Sequence, residues 1–340
     1  MSISQAPLAG LLAVILTLAS CVGGTPGPTP VSQSQGGLGG TTGATGVGLR
    51  ATWVLANPAG LLGLDEKGQV IGPIVSLPPQ SAPATPALAP SGKAIVFALT
   101  PQTDPKRGFG SDLYEVNLDG SDLRPLLQHE ADYIFYSTPR LDPTGNVLYF
   151  QRTAGVIEGG QYVRNDYSIE RMDLRTGERK KLVSDGGDFG FPPGADRLVY
   201  VHLTEGQPDT LWTSTLDGSS ARPFFGKDKW FYLQAPRFAP SGCWLIFSAA
   251  GHTVTRPRGG KAGVAHLGFP SDVDVVSCDG TGLRTIATTV DDVDPAWSPD
   301  GTQIAYVATG GLFVVTLADG STRTVTQGKD FFFGGLVWLK

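Results

Sequence analysis

The sequence predicts an all-β protein, a six-bladed β-propeller whose last blade is closed by strands from both termini. Three observations predict it. The 340 residues include 46 glycines and 26 prolines and show no long amphipathic helical period, which is the composition of short strands joined by many turns. One strand-and-turn unit recurs along the chain. Its spacing, roughly 40 to 60 residues, is that of propeller blades.

The unit is clearest from Asp294 to Gln327. A short apolar segment around Trp297 leads to a turn at Pro299-Asp300-Gly301, and the apolar run Ile304 to Val307 ends at Gly310-Gly311. A second run, Leu312 to Leu317, reaches Asp319-Gly320, a two-residue hairpin signal, and Thr322 to Thr326 alternates as a last strand. Four strands of this length cannot bury both faces of their own sheet, so the unit needs copies of itself as neighbours. The opening turn returns around Pro86–Gly92, Pro139–Gly145 and Pro236–Gly242, and in degraded form at Phe189–Gly194. The later turn returns as Asp119-Gly120, Thr176-Gly177, Asp217-Gly218 and Asp279-Gly280.

These residues resemble the WD-repeat-like repeats of the TolB family, whose signature is close to Pro-x-Trp-Ser-Pro-Asp-Gly. The resemblance covers residues 51 to 340, the last repeat matching almost letter for letter. It implies a six-bladed ring, and in that family the ring binds a peptidoglycan-associated lipoprotein through its channel mouth. The chain departs from the family in lacking a separate N-terminal α/β domain and in carrying a lipoprotein signal.

The elements follow in order. Residues 1–20 read as a lipoprotein signal peptide: an apolar core, residues 9 to 20, too short to span a bilayer, runs into Leu18-Ala-Ser-Cys21, which resembles the bacterial lipobox. The expected product is a lipid-modified Cys21 at the new N-terminus. Signal peptides normally open on Lys or Arg, whereas residues 1 to 49 hold no charged side chain. Residues 21–50, rich in Gly, Thr, Ser and Pro, read as a flexible tether. The propeller then spans 51–340. Residues 51 to 76 supply three strands of a blade whose missing first strand is Leu336-Val-Trp338-Leu339 at the other end. Cys243 opens the second strand of its blade and Cys278 closes the third, positions that neighbour each other in an antiparallel pair, so a disulfide is expected in an exported protein. Two separate buried thiols are the alternative.

Strand counting sorts the loops onto two ends of the ring. The Asp-Gly and Ser-Gly turns occupy one end. The irregular segments Pro101 to Gly110, Thr153 to Asp166, Leu203 to Asp209 and Ala250 to Ser271 fall on the other. There too lie the aromatic clusters Tyr133, Phe135 and Tyr136, Trp230, Phe231 and Tyr232, and Phe331, Phe332 and Phe333, with Arg256 and Arg258 in the longest loop. Variable loops on a rigid scaffold are where function usually sits, which makes this the partner-binding face. The same aromatics could instead plug the gaps between blades. Asp291, Asp292 and Asp294 cluster where a loop enters the channel. They read first as turn-stabilising aspartates, and Asp292 and Asp294 could alternatively hold Ca²⁺.

The chain has no Gly-x-Ser-x-Gly elbow, no His-Glu-x-x-His and no P-loop. A net charge of −5 without a basic stripe argues against nucleic acid. The reading is a lipid-anchored envelope propeller acting as a protein-binding or scaffolding module, without a cofactor. Its partner would be an envelope protein, and the chain itself a monomer or one part of a hetero-complex. It would stand on the periplasmic side of the outer membrane, or on the outer face of the plasma membrane in a one-membrane cell. The alternative is a channel-centred, Ca-dependent enzyme resembling lactonases or lyases.

Overall fold

A computed structural model of the chain describes residues 44–340, apart from 205, 226–229, 231, 251–269, 329–330 and 332–333. Cys21, the signal peptide and most of the tether lie outside the described residues, as do Phe231, Phe332, Phe333, Arg256 and Arg258. The described part is all-β, with one short helix, Val47–Arg50.

The chain's two ends share the first sheet, in the order Gly335–Trp338, Trp53–Asn57, Gly60–Leu64, Val70–Pro73. Trp53 lies opposite Trp338 and Leu55 opposite Leu336, so the terminal strand completes a sheet begun some 280 residues earlier. The strands Ala82–Leu88, Ala94–Thr100, Gly110–Asn117 and Arg124–Leu127 follow, then Ile134–Leu141, Val147–Glu158, Gln161–Asp173 and Arg179–Ser184. A short parallel pairing, Gly110 to Ile134 and Ser111 to Phe135, joins these two sets into one eight-stranded sheet. Three four-stranded sheets complete the chain, opening at Gly186–Gly190, Tyr232–Phe238 and Ala296–Trp297.

The cores lie between sheets. Val54, Leu61 and Ile74 of the first sheet pack with Ile95, Phe97 and Val116 of the next strands. Leu211 packs with Leu245 and Phe247, and Ile246 and Val275 with Ile304 and Val315. The last sheet returns to the first through Ala305, Leu312 and Val314 against Trp53 and Leu55. Packing therefore runs round the molecule and closes on itself. Cys243 and Cys278 are joined by a disulfide with Cα atoms 5.2 Å apart, across the antiparallel pair of Trp244–Ala250 and Ser271–Ser277.

Three sequence expectations are corrected here. Residues 45–50, assigned to the tether, belong to the fold: Val47 is buried, Thr45 Oγ1 donates to the Ile74 carbonyl at 2.7 Å, and the Gly46 N–H donates to the Asp119 carbonyl at 2.8 Å. Few side chains are needed, because the backbone supplies the contacts. Thr153 to Asp166, expected to be irregular, is a continuation of the hairpin Val147–Glu158 and Gln161–Asp173. The Leu203 to Asp209 segment likewise continues a ladder, pairing Thr204 with Gln207. The hairpins escape pattern reading because their outer parts bury neither face; Ile157 and Val163 are exposed, so the period-2 signal is lost there.

The Asp-Gly turns are longer than two residues: three at Asp119-Gly120, Asp217-Gly218 and Asp279-Gly280, and four at Asp319-Gly320, where the Thr316 N–H donates to the Ser321 carbonyl. Asn117 N–H donates to the Ser121 carbonyl around Leu118-Asp119-Gly120, and Thr215 pairs with Ser219 and Ser277 with Thr281 in the same way. The glycine ends each loop at positive φ, the arrangement of a type I turn with a bulge. The aspartate accepts hydrogen bonds from the backbone N–H two residues on: Asp119 from Ser121, Asp217 from Ser219, Asp279 from Thr281.

Two predictions follow from these turns. Gly218 (φ 84°) has no room for a methyl group, since a Cβ would lie 2.1 Å from the Leu182 carbonyl oxygen of the preceding sheet, whereas Gly177 (φ 74°) faces open space. Gly177→Ala is expected to cost about 1 kcal/mol, the left-handed strain alone, and Gly218→Ala about 3 kcal/mol, measured by urea unfolding. Hydroxyl and backbone N–H donors hold the carboxyls of Asp119, Asp217, Asp279 and Asp300 below their ordinary values. A depressed folded-state pKa gives stability that is complete above the unfolded value, about 4, and lost as pH falls below it. Melting temperature should therefore fall from pH 5 to pH 3, and Asp217→Asn should flatten that slope.

Candidate functional site

The first strands of the sheets stand next to one another around the ring, and they share a local design. Each carries the same four positions: Thr85-Pro86-Ala87-Leu88, Thr138-Pro139-Arg140-Leu141, Asp188-Phe189-Gly190-Phe191, Ala235-Pro236-Arg237-Phe238 and Asp294-Pro295-Ala296-Trp297. In four of them the ladder slips at this point, between Ala84 and Ala87, Ser137 and Arg140, Gly187 and Phe189, and Gln234 and Arg237. Thr85, Thr138, Asp188 and Ala235 take positive φ there. Proline is tolerated because a first strand is a sheet edge on its inner side and owes no N–H to that side.

A bulge turns one N–H out of the ladder, and a buried N–H needs an acceptor. The neighbouring first strand provides it. The Thr138 N–H donates to Thr85 Oγ1 at 2.9 Å, and the Ala235 N–H donates to an Asp188 carboxylate oxygen. Trp297 Nε1 donates to the Arg237 carbonyl at 2.9 Å, tying the last sheet to the one before it.

Charge is concentrated on this ring. Arg237 Nη1 lies 2.9 Å from Asp188 Oδ1, and Arg237 Nη2 lies 3.1 Å from Asp294 Oδ1. One guanidinium thus bridges carboxylates from the first strands on either side. Burial alone would lower the Arg237 pKa, but the two carboxylates outweigh it and hold the group above its ordinary value. The side chain of Arg140, at the same position two sheets earlier, makes one hydrogen bond among the described residues, to the Pro139 carbonyl at 2.8 Å. Burial, with repulsion from Arg237, pulls its pKa down to about 9. Tyr232 stands beside this cluster; its hydroxyl donates to Gln234 Oε1 at 2.8 Å, and burial first, then Asp292 and Asp188, push its pKa well up.

The three clustered aspartates do not converge. Asp291 accepts from the Thr309 N–H, Asp292 is buried, and Asp294 is paired with Arg237. Among the described residues no three His, Cys, Asp or Glu side chains come together to hold a metal ion. A calcium ion on Asp294 would compete with the Arg237 guanidinium seated there.

The aromatics of the loop end divide. Tyr136 is fully buried against Phe150, its hydroxyl bonded to Glu130 and Arg179. Trp230 packs on Phe225 and Phe247, with ring centroids 5.2 and 5.4 Å away, and Phe331 is buried between the last sheet and the first. These three pack in the core clusters between sheets. Tyr133, Phe135 and Tyr232 remain half-exposed, with Phe135 edge-on to Phe109.

His129 and Asp112 form an acid–base pair, Nδ1 to Oδ1 2.5 Å, with Arg107 on the same carboxylate. The imidazole is 0% exposed, so it touches no solvent. Through Asp112 it is linked to Arg107, which also pairs with Asp104 at the start of the loop from Asp104 to Gly108.

Sheets of this size, packed face to face in a ring around adjacent first strands, define a β-propeller. Comparison with known proteins specifies it further. A protein described as a TolB homolog, from Protochlamydia amoebophila (strain UWE25), is 25% identical over 264 residues, 70% of this chain and 50% of the relative. The chain thus spans about half the length of the curated relative it matches. The crystal structure of TolB from Acinetobacter baumannii has a TM-score of 0.60 at 19% identity, covering 84% of this chain and 65% of that one. Hydrazine synthase from Kuenenia stuttgartiensis shares the fold at a TM-score of 0.53 and 13% identity, over 76% of this chain and 41% of that one. No protein-family model matches the chain. The fold is a TolB-like β-propeller.

Arg140, Asp188 and Arg237 were not among the residues the sequence singled out. Their signal was in the repeats: after the opening proline, two copies carry Arg where others carry Ala. Arg237→Met is expected to cost about 2–3 kcal/mol, since it strands two partly buried carboxylates. Arg140→Met, at the equivalent position, should cost nothing or stabilise. Urea unfolding of the two variants checks the contrast.

Proposed function

We propose that the protein is a six-bladed propeller, lipid-anchored through Cys21 in the bacterial cell envelope, that binds another envelope protein with the loop end of its ring. The eight-stranded sheet counts as two blades, because its halves meet only through the two-residue parallel pairing and each half repeats the four-strand order of the other sheets. Similarity to TolB proteins supports the envelope setting. No helix among the described residues is long and apolar enough to cross a membrane.

The observation that carries the binding role is the asymmetry of the two ends. One end is closed by short turns whose aspartates are spent on backbone N–H groups. The other presents the half-exposed Tyr133, Phe135 and Tyr232 and the protruding hairpin with Ile157 and Val163 exposed. Aromatic side chains there can anchor an interface at little entropic cost.

Copurification from gently solubilised membranes tests this. Tyr133→Ala combined with Tyr232→Ala should reduce the recovered partner at least about tenfold, the effect of losing one central anchor. Lys93→Glu and Asn146→Lys, on exposed residues near the tight turns, should leave recovery unchanged. The reverse pattern would overturn the assignment. Cys21→Ser should move the protein from the membrane to the soluble fraction.

A further inference from the structure

The internal repeat allows Arg140 and Arg237 to be compared in one molecule. Each sits two positions after a residue at positive φ, in a first strand whose bulged N–H is accepted by the side chain of the preceding first strand. For Arg237 that preceding side chain is Asp188. One carboxylate oxygen takes the Ala235 N–H and the other takes Arg237 itself. For Arg140 it is Thr85. The hydroxyl takes the Thr138 N–H in the same way, but threonine has no second oxygen to offer a guanidinium. On the following side, Arg237 has Asp294, whereas the carboxylate following Arg140 is Asp188, already committed to Arg237 and Ala235. Arg140 therefore has neither of the two acids that its counterpart has.

A guanidinium always carries its charge near neutral pH, and Arg140 is held partly buried with no carboxylate bonded to it among the described residues, which is unfavourable. Arg140 holds, just after the same ladder slip, the position that Arg237 holds in its own first strand, and the first strands adjoin around the ring, so it faces the same inner space as the Arg237 cluster. It is also only partly buried, so a ligand can reach it.

We propose that Arg140 is a carboxylate-binding site on the inner wall of the ring, which takes the acidic group of a ligand in the place that Thr85 leaves without an oxygen. The ligand class is a carboxylate, either a free organic acid or an acidic side chain on a segment narrow enough to enter the ring. This site does not depend on the loop end being the partner surface.

The test supplies the missing acid within the chain. Thr85→Asp keeps the acceptor for the Thr138 N–H and adds the second oxygen; Asp188 shows that aspartate tolerates this position at φ 25°. With the folded chain, Thr85→Asp should melt about 2 °C or more above Thr85→Asn, as one added ion pair worth about 1 kcal/mol predicts. Sodium succinate and the peptide acetyl-Gly-Asp-Gly-amide serve as probes, each against sodium chloride of equal ionic strength. Either should raise the melting temperature of the unmodified protein, and neither should act on Thr85→Asp or Arg140→Gln. Response to succinate alone assigns a free acid, and response to the peptide assigns a chain-borne one. Equal melting of the Asp and Asn variants, or a probe response that survives in Arg140→Gln, would overturn the proposal. A probe effect no larger than that of sodium chloride would do the same. Loss of the loop-end partner in the copurification experiment would leave these outcomes unaffected, so the two readings fail separately.

Discussion

A twisted sheet of four short strands has two apolar faces and can bury neither by itself. Everything else in this molecule depends on how that constraint is met. Each sheet covers its neighbour, so the buried side chains lie in the seams between sheets rather than in a central core. A row of sheets packed this way would leave two faces bare, and the ring avoids it by bringing the last sheet against the first. The strand Gly335–Trp338 makes that contact covalently continuous, because it belongs to the first sheet by pairing and to the last by sequence. The aromatics Tyr136, Trp230 and Phe331 follow from the same constraint: they fill seams that smaller side chains would leave open.

The ring has a consequence at its inner wall. Apart from the two-residue pairing of Ile134 and Phe135 with Gly110 and Ser111, first strands have no pairing partner on their inner edge, so the chain can place proline there and bulge without breaking a ladder bond on that edge. The bulge frees a backbone N–H at the same height in neighbouring strands, and the side chain of the preceding strand accepts it. When that side chain is an aspartate, its second oxygen is left over, and an arginine from the next strand takes it. A backbone requirement thus becomes an arrangement of charges facing one inner space. This is chemistry that rigid scaffolds support well, because the groups are held by strands rather than by loops.

The loop end differs in kind. Its turns are long or continue as hairpins, with exposed Ile157 and Val163 on one of them. The opposite end uses its aspartates and glycines to finish backbone turns, leaving little side chain to recognise anything. The asymmetry arises because the two classes of connection alternate between ends along every four-strand unit.

The repeat, the strand order, the tight turns and the closing strand were legible in the sequence, because each rests on local chemistry. Asp-Gly turns need a left-handed residue, alternating runs need one buried face, and Leu336 to Leu339 reads as a strand lacking its sheet. The pairing of Cys243 with Cys278 could be expected from their places at neighbouring strand ends. Tertiary structure alone decided the rest. Whether Trp230 or Tyr133 is packed or exposed depends on which side chains other segments place against it, Phe225 and Phe247 in the case of Trp230, which no residue encodes by itself. The ion pairs of Asp188, Arg237 and Asp294 join positions about 50 residues apart, which the spacing of the repeats brings to one height. Sequence determines what each unit offers at that height; only the closing of the ring decides which offers meet, and that Arg140 meets no carboxylate among the described residues.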